Sequence, residues 1–113
     1  VMVLMAAVYD LEIEQGEDTK LTLEVEGIDL TNALAVIQIK KKVSDDNSLL
    51  ELSTVNSKII LEGNNILNVY ITKEDSLSLV SEAYYDLVVI LENLTTKKLL
   101  RGSVRTILAV TKW

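Results

Sequence analysis

The sequence predicts an all-β chain: an antiparallel β-sandwich of roughly seven to nine strands with one short helical turn near residues 73–80. Three observations carry this. Apolar and polar residues alternate with period two along most of the chain, as in Leu11-Glu12-Ile13-Glu14 and Leu21-Thr22-Leu23-Glu24-Val25-Glu26. Turn-forming clusters such as Gly16-Glu17-Asp18 and Gly63-Asn64-Asn65 recur about every 8–12 residues. One stretch alone, residues 72–80 (TKEDSLSLV), breaks the alternation.

The elements follow in order. Residues 1–8 (VMVLMAAV) form an apolar N-terminal segment or arm, and residues 9–113 a single domain, as a chain of 113 residues allows. The segment is too short for a bilayer, which needs about 20 apolar residues, and it lacks the basic start of a signal peptide. Residues 11–15 and 21–26 read as a strand pair across Gly16-Glu17-Asp18, placing Glu12, Glu14, Glu24 and Glu26 on one wet face. Residues 27–32 connect to a strand over 33–42 (ALAVIQIKKK), with an almost continuously apolar start. Its three lysines are expected to blunt a sheet edge, in a chain without Pro. Residues 43–48 (VSDDNS) make a turn, 49–53 and 59–61 short strands, and 66–71 a strand with Leu67, Val69 and Ile71 on one face.

Thr72 is placed to cap a short helix, with Asp75 reaching back from its third position and Leu77 and Val80 facing inward. Residues 83–92 (AYYDLVVILE) form a long strand and 93–98 a hairpin loop. Residues 99–110 form the return strand, in which Gly102 marks a possible bulge. Residues 87–91 (LVVIL) and 107–110 (ILAV) are apolar on both faces, so a second face needs a cover: the N-terminal segment, the short helix, or another subunit.

Composition removes several functions. Without Cys there is no disulfide and no thiolate metal site. Without His the usual general base and the commonest metal ligand are gone. A net charge of −6 disfavours nucleic acid. No P-loop, GxGxxG or GxSxG occurs. The expectation is a protein that is not an enzyme and takes no cofactor, with no nucleic acid and no membrane among its partners.

Four features deserve weighing as sites. Glu12, Glu14, Glu24 and Glu26 would hold Ca²⁺ or act as an acid–base pair if they converge; otherwise they are a solvated face. Ser44-Asp45-Asp46-Asn47-Ser48 has the oxygen density of a metal loop without the spacing of one. Tyr84 and Tyr85, adjacent on a strand, point to opposite faces, one to the core and one to a sugar or an interface. Lys97, Lys98, Arg101 and Arg105 gather around the last hairpin, where they can meet an acidic surface on a neighbouring copy. Asn93-Leu94-Thr95 fits a glycosylation sequon and is read as chance.

The order of motifs adds a resemblance. Ile13-Glu14-Gln15-Gly16-Glu17-Asp18, Asp29-Leu30-Thr31, Ile37-Gln38-Ile39-Lys40-Lys41-Lys42, the Gly63 turn and strand ending in Thr72, Tyr85-Asp86-Leu87 and Leu100-Arg101-Gly102-Ser103-Val104 follow one another over nearly the whole chain. This pattern resembles the small β-sandwich proteins of tailed-phage virions, especially the N-terminal domain of phage baseplate upper proteins and related short tail and neck proteins. The resemblance implies an immunoglobulin-like sandwich and a non-enzymatic structural protein of the particle, in the tail, baseplate, neck or a fibre-docking position. It implies a location in the virion after assembly in the host cytoplasm, with other virion proteins as partners and a homo-oligomeric state. The contacts are expected at Val1, Val3, Met5, Tyr84, Val88, Ile90, Arg101 and Arg105. The alternative is a carbohydrate- or calcium-binding module that uses the acidic face and the exposed Tyr.

Overall fold

The computed structural model describes residues 7–111. Among the described residues there are nine strands and one short helix: β1 (Ala7–Val8), β2 (Leu11–Glu14), β3 (Thr19–Glu24), β4 (Leu34–Lys40), β5 (Leu50–Ser53), β6 (Ile59–Glu62), β7 (Ile66–Ile71), α1 (Lys73–Ser76), β8 (Glu82–Ile90) and β9 (Thr96–Ile107). They form two sheets. The larger runs β1-β9-β8-β4-β5, with β2 also on β9, and the smaller runs β3-β7-β6. This is an immunoglobulin-like β-sandwich. Its core lies between the sheets, where Ile37, Ile39, Leu87, Val89 and Val104 meet Leu23, Leu67, Val69 and Ile71. Period-two alternation selects these residues, since each strand sends every second side chain inward.

The strand pair expected around Gly16 is not formed. β2 pairs parallel with β9, whereas β3 pairs antiparallel with β7 in the other sheet. The turn is therefore a crossing between layers. Helix α1 holds it there: Gly16 N donates to Ser76 Oγ at 2.9 Å, and Lys73 N donates to Asp18 Oδ1 at 2.8 Å. The capping box is as expected, with Asp75 N donating to Thr72 Oγ1 and Thr72 N to Asp75 Oδ2. The helix is shorter than residues 73–80. Val80 packs against the core as expected, but Leu77 is half exposed, and Ser76 and Leu79 are the buried residues here. The reason is Ser76, whose hydroxyl donates to Lys73 O and accepts from Gly16, so the polar side chain is satisfied in the interior.

Two further expectations are corrected. The bulge is at Leu99, not Gly102: Leu87 pairs with Leu100 and Val88 with Lys98, so Leu99 is the extra residue and both leucines are buried. Gly102 stays in register opposite Tyr85, and its value is room. A Cβ there would lie 2.8 Å from the Tyr9 carbonyl carbon and 2.9 Å from Asp10 Oδ1. Secondly, the three lysines blunt no edge. β4 is paired on both sides, and Lys41 and Lys42 lie in the turn beyond it. The open edge of β5 is closed by a side chain instead: Asn56 accepts from Ser53 N at 2.9 Å and donates to Glu51 O at 2.9 Å.

Burial works to raise the Asp75 carboxyl, but hydrogen bonds from Lys58 and Thr72 outweigh it and hold it below the ordinary carboxylate range. A carboxyl depressed in the folded state stabilises above its unfolded pKa of about 4, and that contribution is lost as pH falls through the folded value. Asp75→Asn is expected to cost about 1 kcal/mol in urea unfolding near neutral pH. The difference from wild type should close once acid protonates the folded carboxyl. Gly102→Ala is expected to cost about 2 kcal/mol by forcing the Tyr9–Asp10 backbone off β9, with loss of exchange protection at the Tyr9 amide, which donates to Arg101 O.

Candidate binding face

The central pair of the larger sheet is β4 against β8, in register from Leu34 opposite Ile90 to Lys40 opposite Tyr84. Its inner members fill the core, so Leu34, Val36, Gln38 and Lys40 on β4, and Tyr84, Asp86, Val88 and Ile90 on β8, must point away from it. No element of the described chain lies over them. The face has two parts. Leu34, Val36, Val88 and Ile90 make an apolar end. At the other end Val8, Val43 and Tyr84 border a groove of about 590 Å³ that also holds Lys40, Lys98 and Arg101.

The charges on this face are ordered by register. One row reads Glu51, Gln38, Asp86, Arg101 and Val8 across five strands. Gln38 donates to Glu51 at 2.9 Å, Lys98 lies 3.7 Å from Asp86, and Arg105 lies 3.5 Å from Glu12. Such exposed pairs contribute little to stability. Among the described residues, Lys40 and Arg101 have no ion-pair partner. Below the face, Tyr85 is in the core and its hydroxyl donates to Tyr9 O at 2.5 Å. Burial, then the neighbouring Tyr9 and Asp10, push its pKa up to about 12, so it stays a neutral donor that ties the link between β1 and β2 to β8. Asp10 is held below its ordinary range by hydrogen bonds from the Ser103 backbone and hydroxyl.

Of the residues expected to make contacts, Tyr84, Val88, Ile90, Arg101 and Arg105 fall together on this outward face. Tyr84 is 47% exposed, whereas its neighbour Tyr85 is 5% exposed. Val88 and Ile90 are only partly covered by their own chain. Val1, Val3 and Met5 lie outside the described residues. Leu34, Val36, Gln38, Lys40 and Glu51 are not among the contact residues the sequence predicts. The apolar run at residues 33–37 does signal a strand with two apolar faces, but nothing local says that β4 lies beside β8.

The acidic residues do not gather. Glu12 and Glu14 are on β2 in the larger sheet, and Glu24 is on β3 in the smaller one. Among the described residues no three His, Cys, Asp or Glu side chains are placed to share an ion. Asp45 is used within its turn, accepting from Lys42 N at 3.1 Å. Among the described residues no aromatic platform is assembled either, since Tyr70 is on the smaller sheet under Lys20 and Tyr85 is internal.

No family model and no curated protein matches the chain. Among solved structures it is similar to extracellular domains 3–5 of Drosophila OTK, with 19% identity and a TM-score of 0.42, over 93% of this chain and 35% of that one. It thus spans about a third of that structure. It is also similar to the extracellular domain of the voltage-gated sodium channel β4 subunit, whose parallel homodimers are connected with cell–cell adhesion. There the identity is 12% and the TM-score 0.43, over 96% of this chain and 98% of that one. Both are eukaryotic immunoglobulin-like extracellular domains, and nothing in the comparisons points to a phage. The expected kinship with tailed-phage baseplate and neck proteins is therefore corrected. The physical reason lies in the motifs, which any small sandwich needs: Gln15-Gly16-Glu17-Asp18 is the turn between layers, Asp29-Leu30-Thr31 is a turn closed by the Asp29 carboxylate, and Tyr85-Asp86-Leu87 is a core strand.

The dispersal of the carboxylates leads to a direct expectation. Calcium at about 5 mM, above the range of extracellular calcium sites, should leave the melting temperature unchanged, and a rise of several degrees would show a site that this geometry lacks.

Proposed function

We propose that this chain is a non-enzymatic protein-binding module that engages its partner through the outward face of the larger sheet. One observation carries the reading: a strand pair whose inner face is full presents Leu34, Val36, Val88 and Ile90 on its outer face with nothing of the described chain across them. An apolar strand face flanked by ordered charge has the composition of a packing surface. The absence of His and Cys from the sequence supports the non-enzymatic part, since it removes the side chains on which most acid–base and nucleophilic chemistry rests. Apolar burial would supply affinity at about 25 cal/mol per Å², less the cost of association, and the charged row would set orientation.

A photo-crosslinking side chain at position 88 tests this, with position 60 as control. Ile60 is 50% exposed on the smaller sheet and lies outside the proposed face. In the cells that naturally make the protein, position 88 is expected to give protein adducts and position 60 none. Equal yields at both positions, or adducts to glycan alone from position 88, would overturn the reading.

A further inference from the structure

The register of the larger sheet makes its outward face complementary to itself in one orientation. Across the strands in the order β5, β4, β8, β9, successive rows read Val36, Val88 and Lys98; then Glu51, Gln38, Asp86 and Arg101; then Lys40, Tyr84 and Ser103. Consider two copies face to face, related by a two-fold axis that runs along the strands between β4 and β8. The operation exchanges left and right within each row. Val36 then meets Val88 of the other copy, Leu34 meets Ile90, Gln38 meets Asp86, Glu51 meets Arg101, and Lys40 meets Tyr84 as a cation over an aromatic face. Leu34, Val36, Val88 and Ile90 each find an apolar residue, and the unpaired cations Lys40 and Arg101 each gain a partner.

The other two-fold orientation fails by the same test. With the axis across the strands, each strand lies over its own counterpart. Asp86 then faces Asp86 and Arg101 faces Arg101, or, half a step along, Lys98 faces Arg101. Like charges in direct opposition disfavour that packing. Both orientations keep the strands of the two sheets within the roughly 30° that stacked twisted sheets adopt, so charge decides between them.

We propose that the partner is a second copy of this chain, bound as a parallel, two-fold symmetric dimer in which Glu51 of each copy pairs with Arg101 of the other. This rests on the reading of the outward face as the binding surface. Four strands spaced about 4.8 Å apart and seven residues at about 3.3 Å each overlap in this packing, a face of about 440 Å² per copy. Two copies bury about 900 Å², below the size of a standard stable interface, so the dimer is weak, with a dissociation constant on the order of 100 μM.

The test is sedimentation equilibrium of the full chain from about 10 μM to 1 mM, a span set around that constant. Wild type is expected to pass from monomer to dimer and stop there. Glu51→Arg and Arg101→Glu, each on an exposed side chain, are each expected to weaken dimerisation by roughly ten-fold or more, because the symmetry turns two attractions into two repulsions. The double variant E51R/R101E is expected to recover wild-type association to within about three-fold. A wild type that stays monomeric at the highest concentration overturns the proposal, as does mass growing beyond the dimer, or a double variant no better than the singles. A monomer that still gives adducts to other proteins from position 88 would sink self-pairing alone and leave the binding-module reading standing.

Discussion

The antiparallel ladder between β4 and β8 is the constraint from which the rest of the molecule follows. Both strands are paired on both edges, β4 with β5 and β8, and β8 with β4 and β9. Neither can slip without carrying its neighbours. A slip of one residue would turn Ile37, Ile39, Leu87 and Val89 out of the core and bring Gln38, Lys40 and Asp86 in. Because the inner set must be buried, the outer set is dictated, and its mixture of Leu34, Val36, Val88 and Ile90 with a graded row of charge is presented to whatever lies outside. The binding face is thus the far side of the core, positioned by the same hydrogen bonds.

The remaining described elements leave that face uncovered and pack at its sides. β1 and β2 run parallel to β9, held where the Gly102 backbone lets Tyr9 approach and where the Tyr85 hydroxyl reaches up from the core to the Tyr9 carbonyl. On the opposite edge, Asn56 satisfies the outward backbone groups of β5. The β5 edge is thus partly occupied by a side chain of the same chain, and the flat face is where association can occur without adding strands. Helix α1 stands away from that face, at the turn where the chain crosses between sheets.

How much of this could be read in advance varies with the range of the physics. Strand alternation, the Thr72–Asp75 capping box, the opposite facing of Tyr84 and Tyr85, and the doubly apolar run at residues 87–91 are local, and each was legible. Layer assignment was not. Leu11–Glu14 and Thr19–Glu24 look like a hairpin, because a Gly turn between two alternating runs is the usual hairpin signal. The chain instead crosses at Gly16, where Ser76 and the Lys73 amide of α1 hold the turn between layers. That error gathered Glu12, Glu14, Glu24 and Glu26 onto one face, where the fold separates them. The site shows the same division. Its β8 and β9 residues were visible as apolar or basic excess, whereas Leu34, Val36, Lys40 and Glu51 acquire meaning only through register with strands about 50 residues away. The family resemblance failed for a related reason, because turns and strand ends that suit one sandwich suit many.

Charge then supplies what apolar area alone does not. A face of this size buries too little for tight binding, and aliphatic side chains carry little orientation of their own. The row from Glu51 to Arg101 does carry orientation, because its sign changes from one side of the sheet to the other. The most direct measurement is the solvent accessibility of the Val36, Val88 and Ile90 methyl groups, by paramagnetic relaxation from an inert soluble probe, in dilute and in concentrated protein. These methyls are expected to lose exposure as concentration rises while Ile60 and Leu77 keep theirs. Methyls on the outward face that remain as exposed at about 1 mM as at about 10 μM, the span over which a weak dimer forms, would contradict it.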